Sequence, residues 1–358
     1  MGTGGLTLLL AVVTQQPATH HLVREQAYDS IAAGPRTEAC IRGDRIAVTL
    51  APSSYVAEID SEGVKELGQR GDGPGDFRTP THIGIFQDTL WVADSRLRRI
   101  TVFGPDRKEP RVFSLPPDPA LYPLAYAPNG IVLGTRRLGT DTASQVVRLE
   151  ADRLHVVATL HPSRSVTVAF GSSPADGMIS LLDPFDDSTL FQVDIARARL
   201  VLVDRREPGR YAVRWLDLST GAMIAQKIFT TTRESGGSAS EDHASWWWYR
   251  IGARFPQLTE ARFKARFVET VGNPRFLPPV GGLIVSASSH VWIQGHPRTP
   301  AETARWTILS PDGEQIGRVD VAPRRQLLAV DGDRALVLED EEVVAMYRVM
   351  RRAASGIQ

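Results

Sequence analysis

His82 stands in Pro80-Thr81-His82-Ile83-Gly84-Ile85-Phe86, where turn-type residues give way to an apolar run. An imidazole at such a point can act as a general base or bind a metal, provided that a second titratable group converges on it. His290 and His296 flank Trp292 with period-two spacing, which puts His290, Trp292, Gln294 and His296 on one face of an extended strand. They are either a pair of metal ligands or the polar ends of that strand. Cys40 is the single cysteine, so no intrachain disulfide and no cysteine-based zinc site can form. Within Ala39-Cys40-Ile41 its expected role is that of a small buried hydrophobe rather than a nucleophile. Gly71-Asp72-Gly73-Pro74-Gly75 lacks the Gly-Lys-Ser/Thr ending of a phosphate loop and opens no helix, so it reads as a turn. Neither a metal nor a cofactor is expected.

The other chemistry-bearing residue is arginine. Lys plus Arg and Asp plus Glu are 41 each, which leaves no net field to hold the chain on nucleic acid or on an anionic membrane. Only Lys65, Lys108, Lys227 and Lys264 are lysines, so the basic side is almost wholly guanidinium. Arginine is favoured where planar, bidentate contacts to carboxylate or phosphate are made, although GC-rich coding enriches it too.

The elements that must position these groups are strands. From about residue 36 the chain reads as short apolar or β-branched runs with period-two alternation, punctuated by Gly, Pro, Asp and Asn clusters. At 42% hydrophobic and 23% charged it can bury an extended core. Residues 5–13 form an apolar run of signal-peptide length, too short to span a bilayer as a helix. Residues 1–18 are therefore read as a leader-like segment, with a periplasmic or secreted destination, no stable membrane span and a monomeric state expected.

The clearest unit runs Gly71-Asp72-Gly73-Pro74-Gly75-Asp76-Phe77, Pro80, Ile83-Gly84-Ile85-Phe86, Leu90-Trp91-Val92-Ala93-Asp94, then Arg99-Ile100-Thr101-Val102-Phe103. This order of a Gly-rich turn, a strand, a strand ending in Asp and an Arg-Ile strand resembles the NHL-repeat family and related bacterial six-bladed β-propellers. Leu97 stands where that family usually has Asn. Five further units follow the same plan, and the turn acids Asp60, Asp106 and Asp152 recur roughly 46 residues apart. The resemblance implies an all-β, six-bladed β-propeller over residues 22–350, with a strand near His21-Leu22-Val23-Arg24 closing the ring. Two stretches break the period. Residues 163–187 are rich in Ser, Gly and Pro and read as a loop. Residues 240–272 carry Thr259, Phe263 and Phe267 at helical spacing and read as a helical insertion between blades four and five.

In such propellers the loops that enter the first strand of each blade and leave the second form one face. The resemblance would gather Arg96, Arg98, Arg136, Arg137, Arg205, Arg298 and Arg325 there, beside Arg36, Arg206, Arg324, Glu38, Asp94 and His296. A concentration of guanidinium groups suits a small anionic ligand or a protein partner, the alternative being solvated charges paired with nearby acids. The leading expectation is an exported, non-catalytic binding scaffold. A lyase or hydrolase with His82 as its base is the alternative, because propeller lyases and lactonases place histidines or acids in the channel. Trp246-Trp247-Trp248-Tyr249 would cap the channel, dock a partner, or pack beneath the insertion helix.

Overall fold

The computed structural model describes residues 18–29, 31, 37–50, 55–127, 130–138, 143–150, 153–170, 178–251, 258–299, 301–340 and 342–351. The leader-like run 5–13, Arg36 and Asp152 lie outside the described residues.

After β1 (Ala18–Tyr28), the chain forms β2 (Ala39–Arg42), β3 (Arg45–Leu50), β4 (Tyr55–Asp60) and β5 (Gly63–Leu67), paired in sequence order as one antiparallel sheet. The same plan recurs in β6 (Pro80–Phe86), β7 (Thr89–Asp94), β8 (Arg99–Phe103) and β9 (Arg111–Ser114). It returns in β10 (Leu121–Ala127), β11 (Ile131–Leu138), β12 (Ala143–Glu150) and β13 (Arg153–Leu160). A hairpin of β14 (Ser165–Ala169) and β15 (Met178–Leu182) then precedes β16 (Leu190–Asp194), β17 (Arg199–Asp204), β18 (Arg210–Asp217) and β19 (Met223–Thr230). Next come two helices, α1 (Ala239–Ile251) and α2 (Glu260–Val271). The chain ends in β20 (Val280–Val285), β21 (Val291–Gly295), β22 (Ala304–Leu309), β23 (Gln315–Val321), β24 (Arg325–Asp331), β25 (Arg334–Glu339) and β26 (Val343–Arg351).

The sheets differ from expectation in two places. Six separate blades were expected, whereas four four-stranded sheets stand alone and β20 to β26 merge with β1 into one eight-stranded sheet. The cause is β1. It pairs antiparallel with β26 along most of its length, His21 opposite Met350 and Tyr28 opposite Val344, and parallel with β23 through Ala18, Thr19 and His20. The stretch 163–187 is likewise not all loop, because Ser165–Ala169 and Met178–Leu182 pair strand to strand.

Burial follows strand position. The second strands β3 and β7 are buried almost throughout, as their unbroken apolar runs require, while the fourth strands β5 and β9 are mostly exposed. The core is therefore a series of layers between neighbouring sheets. Ala47 and Val56 pack with Ile83, Leu90 and Phe103 in one layer, and Val201 and Trp215 pack with Val291 and Ile293 in another. Ile46 and Val48 of β3 meet Leu336 and Leu338 of β25, so the first sheet packs against the end of the chain. This is a propeller-like arrangement. Close packing demands a glycine at Gly84, since a Cβ there would lie 2.4 Å from the Trp91 ring.

Because the strands alternate in direction, loops entering each first strand share a face with loops leaving each second strand. We call it the loop face, and the opposite one the turn face. The β14–β15 hairpin and the helix pair both rise from the loop face. They pack on each other through Phe170, Phe263 and Phe267, with Phe170 and Phe263 stacked at 5.1 Å. Thr259 caps α2 rather than joining it, accepting a hydrogen bond from the Arg262 N–H at 3.3 Å.

Candidate functional site

Two titratable groups sit at matching heights at the first strands of neighbouring sheets, Glu38 just before β2 and His82 within β6. Glu38 lies opposite Thr49, one residue before the end of β3; its N–H donates to Thr49 Oγ1 at 3.0 Å. His82 lies opposite Ala93, one residue before the end of β7. Glu38 keeps contact with solvent, yet the surrounding strands wall it in and burial pushes its carboxyl up to about 7. Burial also lowers His82 to about 4. No neighbouring charge contributes to either shift, and among the described residues no side chain hydrogen-bonds to the His82 ring. Their neighbour Cys40 has its thiol pushed up to about 12, chiefly by burial, which removes it as a nucleophile.

Asp94, the other carboxylate expected on the arginine-bearing face, is fully committed. It accepts from the backbone N–H groups of Arg78, Thr79, Arg96 and Leu97 at 2.6–3.0 Å and is 0% exposed, so it ties the Gly-rich turn to the β7–β8 turn. Among the described residues no group of three or more His, Cys, Asp or Glu could hold a metal ion.

The arginines divide into four groups. Arg98, Arg136 and Arg137 converge on the segment leading into β10. Arg98 donates to the carbonyls of Pro116, at 2.9 Å, and Asp118; Arg136 pairs with the Asp118 carboxylate at 2.9 Å, and Arg137 lies over the Tyr122 ring. Arg205 is consumed by the fold. It is buried, donates to Ser188 O at 2.8 Å and Val280 O at 2.7 Å, and stands 3.6 Å from Asp186. Arg96 and Arg298 are exposed and take no part in either cluster.

Arg325 joins a fourth group, for which sequence reasoning placed Arg324 and Arg325 on this face but did not name Arg24, Glu339 or Asp340. A cavity of about 360 Å³ on the loop face is lined by Arg24, Arg324, Arg325, Glu339 and Asp340. Glu339 accepts from Arg24 at 2.9 Å and from the Tyr347 hydroxyl, and Arg325 stands 3.6 Å from it. Arg325 lies over the Tyr347 ring and Arg324 over the exposed Tyr249 ring of α1, each at 5.3 Å. Of the neighbouring tryptophans, Trp247 and Trp248 pack on the helix–hairpin core.

His290 and His296 do not form a pair. β21 runs between them, so His290 lies at the turn face, with Nδ1 3.1 Å from Ser288 Oγ, and His296 at the loop face. There the His296 ring sits between the carbonyls of Pro297, at 2.8 Å, and Pro184, at 3.0 Å, while Phe185 separates it from His243 of α1. Burial lowers the pKa of both histidines, His243 to about 4.

Among the described residues no helix is long and apolar enough to cross a membrane. No protein-family model and no curated protein matches the chain. Among solved structures, a candidate exported protein from Bacteroides fragilis is similar over 96% of this chain and 98% of its own, at 9% identity and a TM-score of 0.52. A member of the DUF4221 family from Bacteroides vulgatus is similar over 94% and 100%, at 9% identity and 0.49. Virginiamycin B lyase from Staphylococcus aureus is similar over 92% and 99%, at 11% identity and 0.44. At such identities the likeness is one of fold alone.

Proposed function

We propose that the chain is an exported six-bladed propeller of the NHL-repeat type that acts as a binding scaffold and holds a small anionic ligand on its loop face. The six-bladed reading treats the eight-stranded sheet as two blades, since β1 completes the β24–β26 unit and touches β23 through only three residues. The helix pair is then an insertion between blades four and five. The apolar run 5–13 supports export.

The observation that carries the ligand reading is the cavity at Arg24, Arg324 and Arg325. Three guanidiniums face two carboxylates there, and two of the three already share Glu339, so the site holds one positive charge in excess with Tyr249 and Tyr347 beside it. A carboxylate or phosphate would be met by bidentate donors. The test is a thermal-shift screen of the wild type with sugar acids and phosphorylated metabolites, beside Arg324→Ala/Arg325→Ala and Arg136→Ala/Arg137→Ala variants. A shift lost in the first variant and kept in the second supports this site. The reverse pattern moves it to the loop before β10. No shift with any compound favours a protein partner.

A channel-mouth lyase or hydrolase has one observation in its favour: Glu38 and His82 occupy matching heights at the first strands of neighbouring sheets, and burial shifts them in opposite directions. Turnover of a cyclic or anionic substrate that disappears in His82→Ala and Glu38→Gln would establish it.

A further inference from the structure

On the turn face, far from the arginine cavity, the two halves of the eight-stranded sheet separate around a cleft of about 500 Å³. It opens where β1 and β23 begin, β26 ends and the turns 286–290 and 332–333 meet. Its volume falls within the usual range for small-ligand sites, about 300–1,000 Å³. One wall is apolar, formed by Trp292, Ile308 and Val349.

The polar side of the cleft is incompletely satisfied. His20 Nδ1 and Gln315 Nε2 are buried and have no hydrogen-bond partner among the described residues. A buried polar group left unpaired costs about 1–3 kcal/mol, so two at one cleft call for a hydrogen-bonding partner, and the Gln315 amide, a donor, calls for an acceptor. Gly317 seats the imidazole, because a Cβ at that position would lie 2.8 Å from His20 Cε1. At the rim, Arg351 is exposed and forms no ion pair among the described residues, whereas Asp333 has Arg348 at 3.9 Å. Thus an apolar wall, two residues that each carry an unpaired buried atom and an exposed arginine line one cleft.

We propose that this cleft binds a small amphipathic monocarboxylate, its apolar body against Trp292 and Ile308 and its carboxylate toward Gln315, His20 and Arg351. Phenylacetate is a suitable probe, and 2-phenylethanol is its uncharged counterpart.

Isothermal titration and ligand-observed NMR on the full chain test the proposal, with Gln315→Leu, Arg351→Ala and Arg324→Ala/Arg325→Ala variants. The wild type should bind phenylacetate at least about tenfold more tightly than 2-phenylethanol. Gln315→Leu and Arg351→Ala should each weaken phenylacetate about tenfold, one hydrogen bond to a charged group being worth that much. The Arg324→Ala/Arg325→Ala variant should keep the part of phenylacetate binding that Gln315→Leu and Arg351→Ala weaken, which separates this cleft from the loop-face cavity. Gln315→Leu removes an unpaired buried group, so it should fold with unreduced stability; Arg351→Ala alters an exposed end and keeps the test valid if it does not. Absence of wild-type binding up to about 5 mM, a range that would still detect the weakest specific sites, overturns the proposal. Binding that both variants leave unchanged, or that only Arg324→Ala/Arg325→Ala abolishes, overturns it equally.

Discussion

Arg205 and Arg325 both sit beside loop-face connections, yet their surroundings turn them to opposite uses. Arg205, just past β17, is closed in by the Ser188 and Val280 carbonyls and the Asp186 carboxylate. Arg325, at the start of β24, lies 39% exposed over the Tyr347 ring at the edge of a cavity. A guanidinium ringed by backbone carbonyls is part of the structure; one that shares its only carboxylate with a second arginine is left with donors to offer. The difference comes from what the neighbouring chain supplies, since the residue type is the same.

The largest effect expected from this contrast is on stability. Arg205 ties the segment between β15 and β16 to the first residue of β20, across the seam between two sheets. Arg205→Ala would leave two carbonyls without this donor and take the buried cation away from Asp186, which keeps only its bonds from Ser188 and the Arg164 N–H, and should cost about 3–5 kcal/mol, the range for breaking a buried ion pair from one side. Urea denaturation reads this directly. Lysine cannot reproduce a fork that reaches two carbonyls and a carboxylate at once, so Arg205→Lys should recover less than half of the loss. Wild-type-like stability in Arg205→Ala would erase the distinction drawn between the two sites.

A smaller effect concerns pH. The Arg205 seam has His296 and His243 above it, and burial lowers the pKa of both below the ordinary 6.5, His243 to about 4. A histidine held neutral in the folded chain stabilises it fully above pH 6.5. As pH falls from 6.5 through 4 the unfolded chain takes up the proton first, and that stability is lost. The melting temperature of the wild type should therefore fall across this window, and His243→Gln should flatten the fall. Glu38 works in the opposite sense: with its carboxyl raised to about 7, it destabilises the fold as pH rises from 4.5 to 7. Glu38→Gln should raise the melting temperature at pH 7.5 and leave it unchanged at pH 4. An unchanged profile in both variants would show that these groups titrate as they do in the unfolded chain.

How much of this was legible in the sequence follows from the range of each interaction. Strands such as Leu90-Trp91-Val92-Ala93-Asp94 announce themselves because alternation and turn residues are local signals. The repeat plan called for a strand near His21 to Arg24 to close on the last unit, as its pairing with β26 does, but no pattern near residue 20 indicates that Ala18 to His20 would also pair with β23 and join two units into one sheet. The spacing of His290 and His296 correctly suggested a strand between them, but that strand holds them at opposite faces. The β14–β15 hairpin was hidden by the Ser, Gly and Pro residues around it. Arginine showed the same limit most clearly: Arg205 meets a carbonyl 75 residues away and Arg24 a carboxylate 315 residues away, so composition could show that arginines were abundant without showing which would remain available.

The smallest expected effect tests the other half of the contrast. In Arg325→Ala, Glu339 would keep Arg24 at 2.9 Å and the Tyr347 hydroxyl, so no carboxylate is left unpaired. The pair that is lost is 3.6 Å long and partly solvated, and such pairs contribute about 0–1 kcal/mol. Stability should therefore change by less than about 1 kcal/mol, while the thermal shift given by an anionic ligand should fall sharply, because the cavity would lose its excess positive charge. A stability loss as large as that of Arg205→Ala would mean that Arg325 is a structural residue as well. Its place at the cavity would then follow from packing against Tyr347, and the anion site would be sought at Arg136 and Arg137 instead.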